Sequence, residues 1–139
     1  FNFRGVGASA GTYNDGQGEV EDAIAVADYA RAKFGNLPLA LSGFSFGGYV
    51  QACAAQQLKP QYLVLIAPAV VRFNMPPVPD HTLVIHGEVD EVIPLSAALQ
   101  WARPQHLPIV VMPDTGHYFH GQLHKIKELV RHYFMGHIL

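Results

Sequence analysis

The chain has 139 residues, half of them apolar, and a formal net charge of −2. That describes one domain with apolar residues enough for a core, and no basic footprint for nucleic acid or an anionic membrane. The single cysteine, Cys53, excludes an intrachain disulfide and a C-x-x-C metal or redox pair.

Phe1-Asn2-Phe3 reads as a strand already under way. The glycine-rich stretch GVGASAG, residues 5–11, follows it and carries two catalytic resemblances. Gly7-Ala8-Ser9-Ala10-Gly11 matches G-x-S-x-G, the turn that presents a nucleophilic serine. Gly5-Val6-Gly7 nearly opens a dinucleotide loop, but the third glycine stands at 11 instead of 10. Neither pattern runs into a helix, because the turn-rich Thr-Tyr-Asn-Asp-Gly-Gln-Gly comes next. The stretch is therefore expected to be a strand-to-helix crossover, with positive φ at Gly5 or Gly7.

A helix is expected over 19–34, with apolar residues at 20, 23, 24, 27, 30 and 34 on one face. Glu19, Glu21 and Asp22 open it, Arg31 and Lys33 close it, and Gly35 stops it, as the helix dipole favours. Strands follow at LPLALSG (37–43), YLVLIA (62–67), HTLVIHG (81–87) and LPIVVM (107–112). Most are continuous apolar runs, the pattern of a parallel sheet buried on both faces. Helices are expected at about 48–58, 95–102 and 122–134, the last with Leu123, Ile126, Val130, Tyr133 and Phe134 turned inward. Such alternation gives an α/β domain with helices on both faces of a mostly parallel sheet, and function at the carboxyl ends of the strands.

A second G-x-S-x-G, Gly43-Phe44-Ser45-Phe46-Gly47, has the context the first copy lacks. A strand runs directly into it and a helix leaves at once, which lifts the serine above the sheet. Gly43 and Gly47 are expected to let strand and helix backbones pass close to it. Ser45 is thus the candidate nucleophile, and the N–H of Phe46 the first donor of an oxyanion hole. A serine nucleophile needs a base and an orienting carboxylate, in the chain order serine, acid, histidine. Of eight histidines, His117 alone follows the last strand within reach of the sheet's carboxyl end. His86 precedes the acid candidates, while His81, His106, His132 and His137 read as solvated. Asp90, in the loop GEVDEVIP, is the candidate acid, with Glu88 in reserve; Asp114 more simply shapes the turn before His117. His117, His120 and His124 lack the spacing and acidic partner of a metal site, so no metal and no cofactor is expected. Between Ala67 and His81 the chain is short and proline-rich, without space for a helical cap. Val70, Val71, Phe73 and Met75 are candidates for a shallow acyl pocket there, and Cys53 reads as a small buried hydrophobe.

FNFRGVGASAG, GFSFGGY, HGEVDEVIP and DTGHYFH, in that order, resemble the compact bacterial branch of the α/β-hydrolase superfamily. The resemblance spans essentially the whole chain and selects Asp90 over Glu88. It implies one α/β-hydrolase domain over 1–139 without a large lid. It also implies that further strands, and the loop giving the second oxyanion donor, belong ahead of residue 1. The expected function is a cytoplasmic serine hydrolase of a small ester, thioester or amide, acting through an acyl-enzyme on Ser45, Asp90 and His117. Its partner is a small acyl substrate; no nucleic acid and no membrane is expected. Acyl transfer or peptidase activity on the same residues is the alternative within enzymes. Outside them stands a non-catalytic α/β-hydrolase-like binding module.

Overall fold

The computed structural model describes residues 1–136, so His137 lies outside the described residues. Four parallel strands, β1 (Ala40–Phe44), β2 (Tyr62–Ile66), β3 (Leu83–Gly87) and β4 (Val110–Met112), pair in the order β1-β2-β3-β4. Between and around them run α1 (Gln17–Phe34), α2 (Phe46–Leu58), α3 (Leu95–Ala102) and α4 (Leu123–Phe134). No described helix is long and apolar enough to cross a membrane.

The two faces of the sheet divide the core. Leu63 and Leu65 of β2 and Val84 of β3 pack with Val50, Ala52 and Ala55 of α2 and with Ala23 and Ala27 of α1. The alternate residues, Val64, Leu83 and Ile85, face the other way and meet Ile126 and Tyr133 of α4. This period of two explains the unbroken apolar runs, since both faces of β2 and β3 are covered. Each fully buried leucine, valine or isoleucine among them contributes about 1.5–3 kcal/mol relative to exposure.

Three expectations need correction. Phe1-Asn2-Phe3 is not a strand. No strand runs beside it among the described residues, and the Phe3 carbonyl accepts from Val6 N–H in a turn (3.1 Å). Phe3 instead packs its ring on Phe46, with centroids 5.8 Å apart. In α4, Leu123 is 67% exposed and Phe134 40% exposed, and Leu129 takes the inward position with Ile126, Val130 and Tyr133. Cys53 is half-buried, and burial raises its thiol above the ordinary value, which keeps it protonated.

Helix α1 starts at Gln17, two residues before the charge cluster. Glu19 is buried and accepts from the N–H groups of Asn14 (2.7 Å) and Gly16 (2.9 Å). The loop of residues 1–16 is held against α1 by Arg4, whose guanidinium donates to Asp22 Oδ1 at 2.9 Å.

Candidate active site

The carboxyl ends of the strands lie in register: Phe44 beside Ile66, Ile66 beside Ile85, and Gly87 beside Met112. The loops leaving β1, β3 and β4 therefore emerge along one rim of the sheet. They carry Ser45, Asp90 and His117 respectively.

Ser45 sits at φ 52° and ψ −115°, in the left-handed region that a residue with a Cβ seldom adopts. Strain of this kind costs on the order of 1–3 kcal/mol and survives only where its surroundings hold it. Here they do. Its N–H donates to the Ile66 carbonyl (2.9 Å), and its own carbonyl accepts from Gly48 (3.0 Å), Tyr49 (3.2 Å) and Ala69 (3.2 Å). The glycine at 43 has a steric cause, since a Cβ there would collide with the Gly47 carbonyl. Gly47 itself faces open space; the second tight glycine is Gly48, where a Cβ would come within 3.2 Å of Pro68 Cα. The Phe46 N–H opens α2 and has no intrahelical acceptor.

Asp90 and His117 are almost fully buried, at 6% and 2% exposure. Asp90 Oδ1 accepts from the N–H groups of Val92 (2.9 Å) and Ile93 (2.7 Å). Its Oδ2 lies 2.7 Å from His117 Nδ1. An ionised carboxylate only accepts, so Nδ1 carries the proton and Nε2 is left with a lone pair. That Nε2 stands 3.1 Å from Ser45 Oγ, in position to accept its proton. The structure thus brings Ser45, His117 and Asp90 into one hydrogen-bonded line.

The other candidates fall elsewhere. Glu88 accepts from Asp114 N–H (2.8 Å), and among the described residues the hydrogen-bond partners of the His117 ring are Asp90 and Ser45, not Glu88. Asp114, at φ 48°, occupies a tight turn before His117. Ser9 lies in an exposed loop, its hydroxyl donating to the Asn2 carbonyl at 3.2 Å. Gly5 and Gly7 have the expected positive φ, 72° and 57°, but with no strand ahead of them among the described residues the stretch is a loop leading to α1 and not a strand-to-helix crossover. Of the four residues expected to line an acyl pocket, only Phe73 reaches the hollow at Ser45, where Tyr13, Phe46, Val92 and Ile93 join it. Val70, Val71 and Met75 line a separate hollow against Trp101. The Tyr13 phenol, although more than half exposed, is raised above its ordinary value by partial desolvation and then by the Asp15 carboxylate, so it remains an O–H at neutral pH.

Two positioning residues escaped the sequence reading. Glu91 accepts from the His117 backbone N–H (3.2 Å), tying the acid loop to the histidine loop. Backbone bonds from Glu88 N to Met112 O (2.9 Å) and from Val89 N to Thr115 O (3.1 Å) do the same. His86, fully buried on β3, donates from Nε2 to the Ile93 carbonyl (2.8 Å) and stands 3.5 Å from Asp90 Oδ2. Its Nδ1 has no partner among the described residues. A polar residue inside a fully buried strand was the available signal for His86, because such a group needs a partner. Glu91 offered none, being one acidic loop residue among several.

Residues 1–81 match the family described as serine aminopeptidase, S33. A lidless α/β serine hydrolase from Xanthomonas campestris superposes with a TM-score of 0.90 at 40% identity, covering 95% of this chain and 62% of that one. An α/β serine hydrolase homologue from Coxiella burnetii gives 0.80 at 35% identity, covering 93% and 64%. The chain therefore spans less than two-thirds of the length of either relative. Est1E from Butyrivibrio proteoclasticus, solved with ferulic acid bound, shares the fold with a TM-score of 0.81 at 19% identity, covering 99% and 75%. Among curated proteins, none matches. With one family covering more than half its length, and with the two closely superposing serine hydrolases, the chain belongs to the serine aminopeptidase S33 family of the α/β-hydrolase superfamily.

Proposed function

We propose that the chain is a serine hydrolase that cleaves a small ester, thioester or amide through an acyl-enzyme. The observation that carries this reading is the line from Ser45 Oγ to His117 Nε2 (3.1 Å) and from His117 Nδ1 to Asp90 Oδ2 (2.7 Å). In the first step His117 Nε2 takes the hydroxyl proton as Ser45 Oγ attacks the carbonyl carbon. The developing oxyanion faces the N–H of Phe46, and Asp90 holds the imidazolium that forms. His117 then gives its proton to the leaving group. A water, deprotonated by the same Nε2, releases the acid and restores the serine.

The short 67–81 connection has no described helix, which favours a small substrate in an open cleft, and the Xanthomonas relative is likewise described as lidless. The family's description favours one second reading, aminopeptidase activity on the same residues. Amino-acid p-nitroanilides tried beside simple p-nitrophenyl esters separate the two. The central test is a fluorophosphonate probe, which reacts readily only with an activated serine. Mass spectrometry is expected to place the adduct on Ser45. An adduct on Ser9 that persists in Ser45→Ala overturns the proposal.

A further inference from the structure

The hollow beside Ser45 has a volume of about 340 Å³ and carries one formal charge in its lining, that of Arg72. Its other walls are the rings of Tyr13, Phe46 and Phe73 and the aliphatic Ala69, Val92 and Ile93. The rings form one cluster: Phe46 lies 5.7 Å from Tyr13 and 5.4 Å from Phe73 by centroid.

Of the other four arginines three are occupied, and Arg103, whose side chain has no partner among the described residues, does not line the hollow. Arg4 pairs with Asp22, Arg31 donates to the Leu58 carbonyl, and Arg131 pairs with Glu128. Arg72 makes no ion pair among the described residues. Asp15, which acts on the Tyr13 phenol at the edge of the hollow, makes no ion pair with Arg72 among the described residues, and other carboxylates around the site are already committed. Asp90 is held by its own loop and His117, Glu88 by Asp114, Glu91 by His117, and Glu19 by Asn14 and Gly16. An exposed arginine is ordinarily a solvated surface charge. This one differs in lining the hollow that holds the nucleophile, with its planar fork unspent. Such a fork matches a carboxylate in bidentate fashion better than a point charge does.

We propose that the substrate is a small ester whose acyl part ends in a carboxylate, bound by Arg72 while the aromatic walls take its hydrocarbon. The assignment rests on the Ser45–His117–Asp90 reading. The acyl part is chosen because it stays on Ser45 through both chemical steps, so its contact with Arg72 serves acylation and deacylation alike. The reaction adds one water: the ester C–O bond breaks, the alcohol leaves with a proton, and a dicarboxylate is released.

The test compares p-nitrophenyl hydrogen glutarate with the neutral p-nitrophenyl valerate, close in length and identical in leaving group. For the native chain, kcat/KM is expected to favour the anionic ester by roughly tenfold or more, the scale of a charge-assisted hydrogen bond. The preference should shrink as salt is raised, because Arg72 is exposed. Arg72→Gln should bring the ratio towards one, and Arg72→Lys should leave an intermediate ratio by keeping the charge without the fork. Equal turnover of both esters by the native chain, or a preference that survives Arg72→Gln, overturns the inference. Fluorophosphonate labelling of Ser45 separates this from failure of the catalytic reading. Labelled protein without ester preference sinks the carboxylate assignment alone, whereas protein that is never labelled sinks both.

Discussion

The molecule holds the same five-residue pattern twice, and the two copies have become different objects. Gly43-Phe44-Ser45-Phe46-Gly47 joins β1 directly to α2 and holds its serine at φ 52°. Gly7-Ala8-Ser9-Ala10-Gly11 sits in a loop that reaches α1 only at Gln17, and its positive φ values fall on glycines. In the first case strain is placed on the residue whose hydroxyl must be presented; in the second, glycine absorbs it. The carbonyl of Ser45 has three backbone donors, and its hydroxyl faces a buried histidine. The hydroxyl of Ser9 bonds a nearby carbonyl in the open. A G-x-S-x-G pattern is therefore a statement about spacing, and the flanking elements decide what the spacing does.

The largest expected effect separates the serines. Ser45→Ala should lower ester turnover by roughly 10⁴ or more, whereas Ser9→Ala should leave it near the native rate. A loss of turnover in Ser9→Ala with full activity in Ser45→Ala would reverse the comparison. Next in size is the acid. Asp90→Asn should lower turnover by about 10⁴ with the fold retained, because the histidine is then held in the wrong tautomer. Glu88→Gln, which removes a charge but keeps an oxygen able to accept from the Asp114 backbone N–H, should have a far smaller effect on rate. Loss of activity confined to Glu88→Gln would move the acid assignment.

Stability measurements sharpen the contrast between the loops. Gly43→Ala should cost roughly 1–3 kcal/mol in denaturant unfolding, since its Cβ meets the Gly47 carbonyl and strand and helix must part. Gly5→Ala should cost about 1 kcal/mol, with φ 72° and the Gly11 carbonyl 3.1 Å from the new Cβ. Gly47→Ala should be neutral or stabilise by roughly 0.5 kcal/mol, because it adds a methyl to open space on a helix. Equal costs at 43 and 47 would remove the steric account of the elbow.

The smallest effect concerns the anchor of the first loop. The hydrogen bonds from Arg4 lower the Asp22 pKa below its ordinary value. A lowered folded-state pKa gives stability that is present above the unfolded value and lost as pH falls through the folded one. Asp22→Asn should accordingly melt slightly below the native chain at neutral pH, and the two curves should converge in acid. A gap that persists below the carboxylate range would mean the ion pair is not what holds residues 1–16.

Continuous apolar runs, one amphipathic face per helix and a glycine after the first helix were enough to place the helices and the central strands, because both periodicities are local properties of the chain. The same local reading placed Ser45 at a strand-to-helix turn and rejected Ser9. It failed at Phe1–Phe3, where a strand-like trio has no strand beside it among the described residues, and at Leu123, where an apolar residue at the first turn of α4 faces outward. Strand pairing and the face a helix end presents depend on what lies alongside, and the sequence carries neither. Chain order offered Asp90 and His117 as partners for the serine, yet the 2.7 and 3.1 Å contacts exist only because β1, β3 and β4 end along one rim. Tertiary structure also decided the roles of His86 and Glu91, and drew Tyr13 and Arg72 from separate loops to the hollow at Ser45. Those contacts join residues distant in the chain, and only the folded sheet brings them within hydrogen-bonding reach.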